Sequence, residues 1–212
     1  MSGQVNRGSK FGEYLFNLCT QDDINIVVEL GTWNGEGTTK CIMDALINKF
    51  AEDAKLYSLE SNLQMYKAAS QYWEKALFQY NSAIKERLQL IHGRIVEKED
   101  LMELEYLKKQ PDYDSRWDLW LSQDLKNLDS CPNIVEKIPE KIDLLILDGG
   151  EFSTLAEFKI LMKRSNYIAC DDTRVLKCRE IRDMLLKDNN FICLIDELND
   201  RNGFCIFKNK VQ

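Results

Sequence analysis

The 212 residues suit a single unit with a substantial core, and 44% hydrophobic with 30% charged residues is the balance of a globular, water-exposed chain. A net charge of −7 without a long basic run argues against a nucleic-acid partner. No apolar run approaches the length of a membrane span and the N-terminus lacks a leader-like apolar segment, so the expectation is a cytoplasmic protein without a membrane partner. Seven scattered cysteines (Cys19, Cys41, Cys131, Cys170, Cys178, Cys193, Cys205) form no C-x-x-C pair, which predicts buried free thiols in a reducing compartment.

Residues 1–10 are polar and expected to be loose, and Phe11, Leu15 and Leu18 share one face of a short helix. The run Ile26-Val27-Val28-Glu29-Leu30 reads as a strand, followed by Gly31, Gly35 and Gly37 and by a helix that Thr38 or Thr39 can cap. That helix buries Cys41, Ile42, Ala45 and Leu46. A second strand, Lys55 to Leu59, ends in Glu60-Ser61-Asn62, and Tyr66, Ala69, Trp73, Ala76, Leu77 and Tyr80 then keep helical spacing. Leu88 to His92 is a third strand that stops at Gly93.

Residues 97–140 break this rhythm. They are charged, carry Tyr106, Tyr113, Trp117 and Trp120, and read as an inserted cap of two helices separated near Pro111. Ile142 to Asp148 is almost continuously apolar, as a strand covered on both faces must be. Thr154 with Glu157 reads as a capping box for a helix burying Leu155, Phe158, Leu161 and Met162. Tyr167 to Cys170 is a fifth strand ending in Asp171-Asp172, and a helix through Leu176, Ile181, Met184 and Leu185 stops at Asn189-Asn190. Phe191 to Ile195 and Phe204 to Phe207 are joined by too short a turn for a parallel crossover, so they form an antiparallel pair.

The glycine turn decides the ligand class. A strand, a glycine turn and a helix N-terminus form a ready site for a nucleotide-like molecule, because the turn admits close approach and the helix presents free N–H groups. A dinucleotide turn needs its first two glycines one residue apart. Thr32 and Trp33 follow Gly31, so that pattern fails. The pattern present, E-x-G-x-x-x-G-x-G from Glu29 to Gly37, resembles motif I of the class I S-adenosylmethionine-dependent methyltransferases. The terminal antiparallel hairpin resembles the ending of the same family's sheet.

The resemblance implies an α/β, Rossmann-like sheet of seven mostly parallel strands, with helices on both faces and the C-terminal antiparallel hairpin, over residues 1–212. It implies S-adenosyl-L-methionine as cofactor, held by Glu29, Gly31, Thr32, Trp33, Gly35, Gly37, Thr38, Glu60, Ser61, Gly93, Arg94, Ile95 and Asp148. Glu60 takes the ribose hydroxyls in that scheme, or alternatively is a solvated acid capping the next helix. Arg94 stands where the family usually has an acid for the adenine amino group, so Ile95 or backbone groups would take over that contact. Trp33 either flanks the methionine end or packs on the N-terminal helix.

Asp148-Gly149-Gly150-Glu151-Phe152-Ser153-Thr154 and Cys170-Asp171-Asp172-Thr173 look like the D-G-D…S-T and D-D elements of macrocin-type sugar O-methyltransferases. They resemble, more distantly, the catechol O-methyltransferase branch. The carry-over gives Asp148, Asp171 and Asp172 as ligands of Mg²⁺ or another divalent cation, which would orient a hydroxyl and lower its pKa. Gly150 departs from the pattern by replacing its second acid. The alternative is a metal-free site, with Asp148 orienting the acceptor and Asp171-Asp172 capping the following helix.

His92 reads as structural, which leaves Asp148 or Glu151 to take a proton. Arg174, Lys177, Arg179 and Arg182 read as a solvated helix face, with Arg174 alternatively meeting a substrate anion. Trp117 and Trp120 form a lid or else bury the insert. The expected activity is methyl transfer to a hydroxyl of a small molecule, such as a sugar or polyol, and a homo-oligomer is compatible with it. A nicotinamide-dependent oxidoreductase and a non-catalytic cofactor-binding scaffold are the rival readings.

Overall fold

The computed structural model of the protein describes residues 5–211. In chain order, α1 (Lys10–Cys19) precedes β1 (Ile26–Leu30) and α2 (Thr38–Leu46), and β2 (Lys55–Glu60) leads into α3 (Leu63–Ala76) and the single turn α4 (Ser82–Lys85). After β3 (Leu88–His92) come α5 (Leu104–Leu107) and α6 (Arg116–Ser130). They are followed by β4 (Ile142–Leu147), α7 (Thr154–Leu161), β5 (Ser165–Asp171) and α8 (Leu176–Lys187), and the hairpin is β6 (Phe191–Glu197) with β7 (Phe204–Asn209). The strands form one sheet in the order β3-β2-β1-β4-β5-β7-β6, parallel except for β7, which runs antiparallel to both its neighbours. The expected α/β sheet with its terminal hairpin is the observed one.

Successive strand side chains point to opposite faces, so a sheet covered on both sides needs apolar residues at consecutive positions. Val27, Leu144, Ile146, Tyr167, Ala169 and Ile206 pack on one face with buried residues of α1, α2 and α3. Val28, Leu145, Leu147, Ile168, Cys170 and Phe207 pack on the other with α6, α7 and α8. Six of the seven thiols are buried as expected, while Cys193 is exposed on the edge strand β6. No helix among the described residues is long and apolar enough to cross a membrane.

Several local expectations are corrected. Residues 5–10 are not loose: Val5 is 2% exposed and Ser9 caps α1 by accepting from the Gly12 N–H. Residues 1–4 lie outside the described residues. Neither threonine caps α2; Gly37 is its N-cap, and both hydroxyls turn to carboxylates instead. The capping box on α7 does not form, because the Thr154 hydroxyl donates to the Gly150 carbonyl and Ser153 occupies the cap position. In the insert, the first expected helix shrinks to the single turn α5, which ends at Leu107, before Pro111.

β1 stands between β2 and β4, and the chain winds outward from it in opposite directions. The crevice beyond the carboxyl ends of β1 and β4 is therefore the switch point at which open α/β sheets bind ligands. The register sets Leu30 beside Leu147, and Leu147 beside Cys170. Gly31, Asp148 and Asp171 consequently converge on one corner.

Candidate active site

The glycine turn is built to touch the neighbouring strand. Gly31 has φ +94°, and a Cβ there would lie 2.3 Å from the Asp148 carbonyl oxygen, so only glycine lets the β1 and β4 ends meet. Gly35 has φ +82° and presses on the Trp73 indole, whose Nε1–H donates to the Gly35 carbonyl. The third left-handed residue of the turn is Trp33 (φ 51°), whereas Gly37 has a negative φ.

Beneath the turn, Glu29 is fully buried and accepts from the hydroxyls of Ser58 (2.5 Å) and Thr39 (2.8 Å). Burial pushes its carboxyl up to about 8, against the pull of those two hydrogen bonds. Glu29 thus ties β1, β2 and α2 together under the turn and does not reach the cavity wall. Gly35 also lies behind the wall. Both were expected to touch the cofactor, and the structure gives them a supporting place instead.

A cavity of about 380 Å³ opens at the switch point. Its wall contains Gly31, Thr32, Trp33, Gly37, Thr38, Glu60, Ser61, Gly93, Arg94, Ile95 and Asp148, all expected from the sequence, together with Asp171 and Asp172. Glu60 accepts from the backbone N–H groups of Trp33 and Asn62, each at 2.8 Å, and so fastens the glycine turn to the end of β2. Asn62, not Glu60, caps α3, which removes the helix-cap reading. A carboxylate has about four acceptor positions, so Glu60 keeps capacity for a diol. Burial raises its pKa, offset in part by the same two N–H groups.

The Arg94 guanidinium is committed to the Cys131 and Val96 carbonyls and to Glu97. Its Nε and Nη1 are thus engaged within the chain while the residue still borders the cavity. Glu157, from α7, instead holds a buried Oε2 in the cavity wall with no partner among the described residues. Burial lifts its carboxyl to about 7.

The acidic corner differs most from expectation. Asp148, Asp171 and Asp172 each bring an oxygen into a set spanning at most 4.8 Å, the arrangement predicted for a divalent cation. Lys177, assigned from sequence to a solvated helix face, is 6% exposed and reaches this set. Its Nζ lies 2.9 Å from Asp148 Oδ1 and 2.6 Å from Asp172 Oδ2. Burial opposes the ammonium, but Asp148 and then Asp172 hold its pKa well above the usual lysine range.

The other Asp148 oxygen accepts from Thr38 at 2.8 Å, so Asp148 is held on both sides. Asp172, at φ 57°, also accepts from Asn202. Burial alone would raise its pKa, and Lys177 overturns that and holds it below the ordinary value. Asp171 meets Arg201 at 3.3 Å, yet burial and the charges of Asp148 and Asp172 push it to about 7. Neither aspartate caps α8, whose N-cap is Val175. The donor set therefore does not fit a divalent ion as it stands, because an ammonium already sits against two of its three carboxylates.

Beside the cavity is a broader depression of about 820 Å³, lined by Leu63, Gln64, Trp120, Gln123, Glu151 and Phe152, among others. Trp33, Asn62, Asp124, Asn127, Gly149 and Gly150 line both volumes. Trp33 is 55% exposed and Trp120 37%, whereas Trp117 is buried and meets the Phe152 ring edge-on. Trp120 alone keeps the lid position. Glu151 faces the depression, with its pKa raised by burial against the pull of Lys177.

Asp124 was missed in the sequence. Its carboxyl is lifted to about 6 by burial, and a Cβ on Gly150 would lie 3.5 Å from its Oδ2. The insert thus delivers a carboxylate beside the position where the D-G-D pattern has its second acid. The available signal was Trp120, Asp124 and Asn127 at i, i+4 and i+7 on one face of α6. Lys177 could have been found the same way, since it shares a helical face with the buried Ile181. His92 is structural, with Nε2 3.2 Å from the Ser61 carbonyl and its ring against Tyr66. Arg174, Arg179 and Arg182 bond Leu198, Asp112 and Asp196 and do not line either volume.

No protein-family model and no curated protein matches this sequence. Solved structures do match in fold. A methyltransferase from Geobacter sulfurreducens is 13% identical with a TM-score of 0.59, the match covering 98% of this chain and 81% of that one. The O-methyltransferase from Bacillus cereus in complex with SAH (S-adenosylhomocysteine) is 15% identical with a TM-score of 0.59, covering 94% and 80%. An rRNA methylase from Streptococcus thermophilus is 15% identical with a TM-score of 0.51, covering 93% of each chain. The chain has the Rossmann-like fold of these methyltransferases, and their differing descriptions leave the acceptor to be argued from its own residues.

Proposed function

We propose that this protein transfers a methyl group from S-adenosylmethionine to a hydroxyl of a small polar molecule, of the sugar or polyol class. The observation that carries this reading is the shared wall: Trp33, Asn62, Asp124 and Gly150 border both the switch-point cavity and the depression beside it. A donor in the first volume and an acceptor in the second would meet across these residues.

The cavity suits the donor. At about 380 Å³ it is in the range of small-ligand sites. The Cβ-free approach at Gly31 and the spare acceptor positions of Glu60 match a nucleoside with a ribose diol. S-adenosylmethionine, when bound, supplies an electrophilic methyl on a sulfonium. The chain's own task is alignment in a water-poor pocket. Thr38 and Lys177 fix the Asp148 carboxylate in the wall of the donor cavity, away from the acceptor depression, so it does not act as the base expected for it. Asp124 takes the hydroxyl proton, and Glu151 is the second carboxylate bordering the depression. Two indole faces, four side-chain amides and two carboxylates suit a polyhydroxylated acceptor better than an apolar one.

The acidic lining and the net charge of −7 favour a small acceptor over RNA. The test is incubation with S-adenosylmethionine and a panel of sugars, polyols, catechols and RNA, read by mass spectrometry. One added methyl on a polyhydroxylated compound supports the reading; methylation confined to RNA or catechols contradicts it.

A further inference from the structure

The three aspartates that resemble a metal site are already matched by side-chain cations. Lys177, arriving from α8, bonds Asp148 and Asp172 at 2.9 and 2.6 Å. Arg201, arriving from the β6–β7 turn, places Nη2 3.3 Å from Asp171 Oδ2. The two cations come from different elements, and between them they face every member of the triad. We propose that Lys177 and Arg201 supply from within the chain the double positive charge that a divalent ion would bring, and that the intact site binds no metal.

The physical case is geometric. A hard ion of the Mg²⁺ kind binds carboxylate oxygens at about 2.0–2.1 Å in a near-octahedral shell completed largely by water. An ion held by Asp148 and Asp172 at that distance would lie against the Lys177 ammonium, which is 6% exposed and enclosed with Asp148, Asp171, Asp172 and Cys178 around it. The lysine would have to leave before the ion could enter. An ammonium can still fix Asp148 through a directed hydrogen bond, so Lys177 is a positioning residue for that carboxylate. A metal's ability to bind the acceptor oxygen directly and lower its pKa is lost with the ion, which fits a separate base on α6.

The inference is independent of the methyl-transfer reading, because it is tested by ion binding alone on the full chain. Mn²⁺ is titrated into the protein and free ion is followed by electron paramagnetic resonance, with folding checked by circular dichroism. The intact chain is expected to leave the free-ion signal unchanged up to about 1 mM, the weak end of hard-cation sites. Lys177→Ala, and its combination with Arg201→Ala, is expected to gain one site at least about tenfold tighter than that limit. Lys177→Met keeps the aliphatic length and replaces the alanine variant if that one does not fold. One Mn²⁺ bound per intact chain and lost in Asp172→Asn would overturn the proposal. Folded Lys177 variants that still bind nothing would overturn it equally, since the triad would then have no latent metal site for a lysine to fill.

Discussion

The turn after β1 and the corner after β4 and β5 lie side by side, yet they relate to the sequence in opposite ways. In the turn, the deciding contacts are local or between adjacent strands: Gly31 against the Asp148 carbonyl, Glu29 on Ser58 and Thr39, Glu60 on the Trp33 N–H. In the corner, three aspartates from the ends of two strands acquire their meaning from Lys177 and Arg201, which no spacing rule ties to them. A backbone motif carries its function in its own residues. A cluster of charges takes its function from whatever counter-charge the fold delivers.

The comparison can be broken by mutation, and the largest effect is expected at Asp124. Asp124→Asn should lower kcat by ~10²–10⁴-fold, the usual contribution of a general base, with a far smaller change in S-adenosylhomocysteine affinity in calorimetry. Burial pushes the Asp124 carboxyl of the free chain up to about 6, and a base works when deprotonated, so wild-type kcat/KM should rise with pH through that value and then level. A pH profile without that limb would return the role to Glu151.

Lys177→Met comes next. Removing one partner of a buried charge set leaves its carboxylates uncompensated, and urea unfolding should show a loss of ~3–5 kcal/mol. A loss under about 1 kcal/mol, the size of an exposed ion pair, would mean that the lysine is incidental. Gly31→Ala follows: the left-handed φ of +94° costs a side chain about 1–3 kcal/mol, and the collision with Asp148 adds to it. Its cofactor affinity should fall with its stability, measured by calorimetry and urea titration on the same sample.

Glu29→Gln is the mildest and tests the support beneath the turn through pH. The ordinary glutamate value is 4.5 and the folded value about 8, so between them the folded chain keeps a proton that the unfolded chain has released. That contribution is full below 4.5 and disappears as pH rises through the folded value. The melting temperature of the wild type should therefore fall more between those pH values than that of Glu29→Gln. Parallel curves would show that Glu29 is ionised in the fold.

Much of the architecture was legible because each strand carries the apolar pattern its burial requires. The hairpin was legible because a short turn permits only antiparallel pairing. Helix caps were misread for a consistent reason: Thr38, Thr39 and Thr154 each have a hydroxyl suited to a cap, but Asp148, Glu29 and the Gly150 carbonyl compete for it. Most of the residues expected to hold the cofactor line one cavity, since they follow strand ends in order. Asp124 and Lys177 were missed because each sits on a helix whose charged residues look like solvent-facing ones until the packing is seen.

The most direct measurement is calorimetric titration of the purified chain with S-adenosylhomocysteine and, in parallel, with NADH. Saturable heat at one equivalent of the first, with none from the second and with loss in Gly31→Ala, is the predicted result. Binding of NADH alone, or no heat from either ligand on folded protein, would contradict the account.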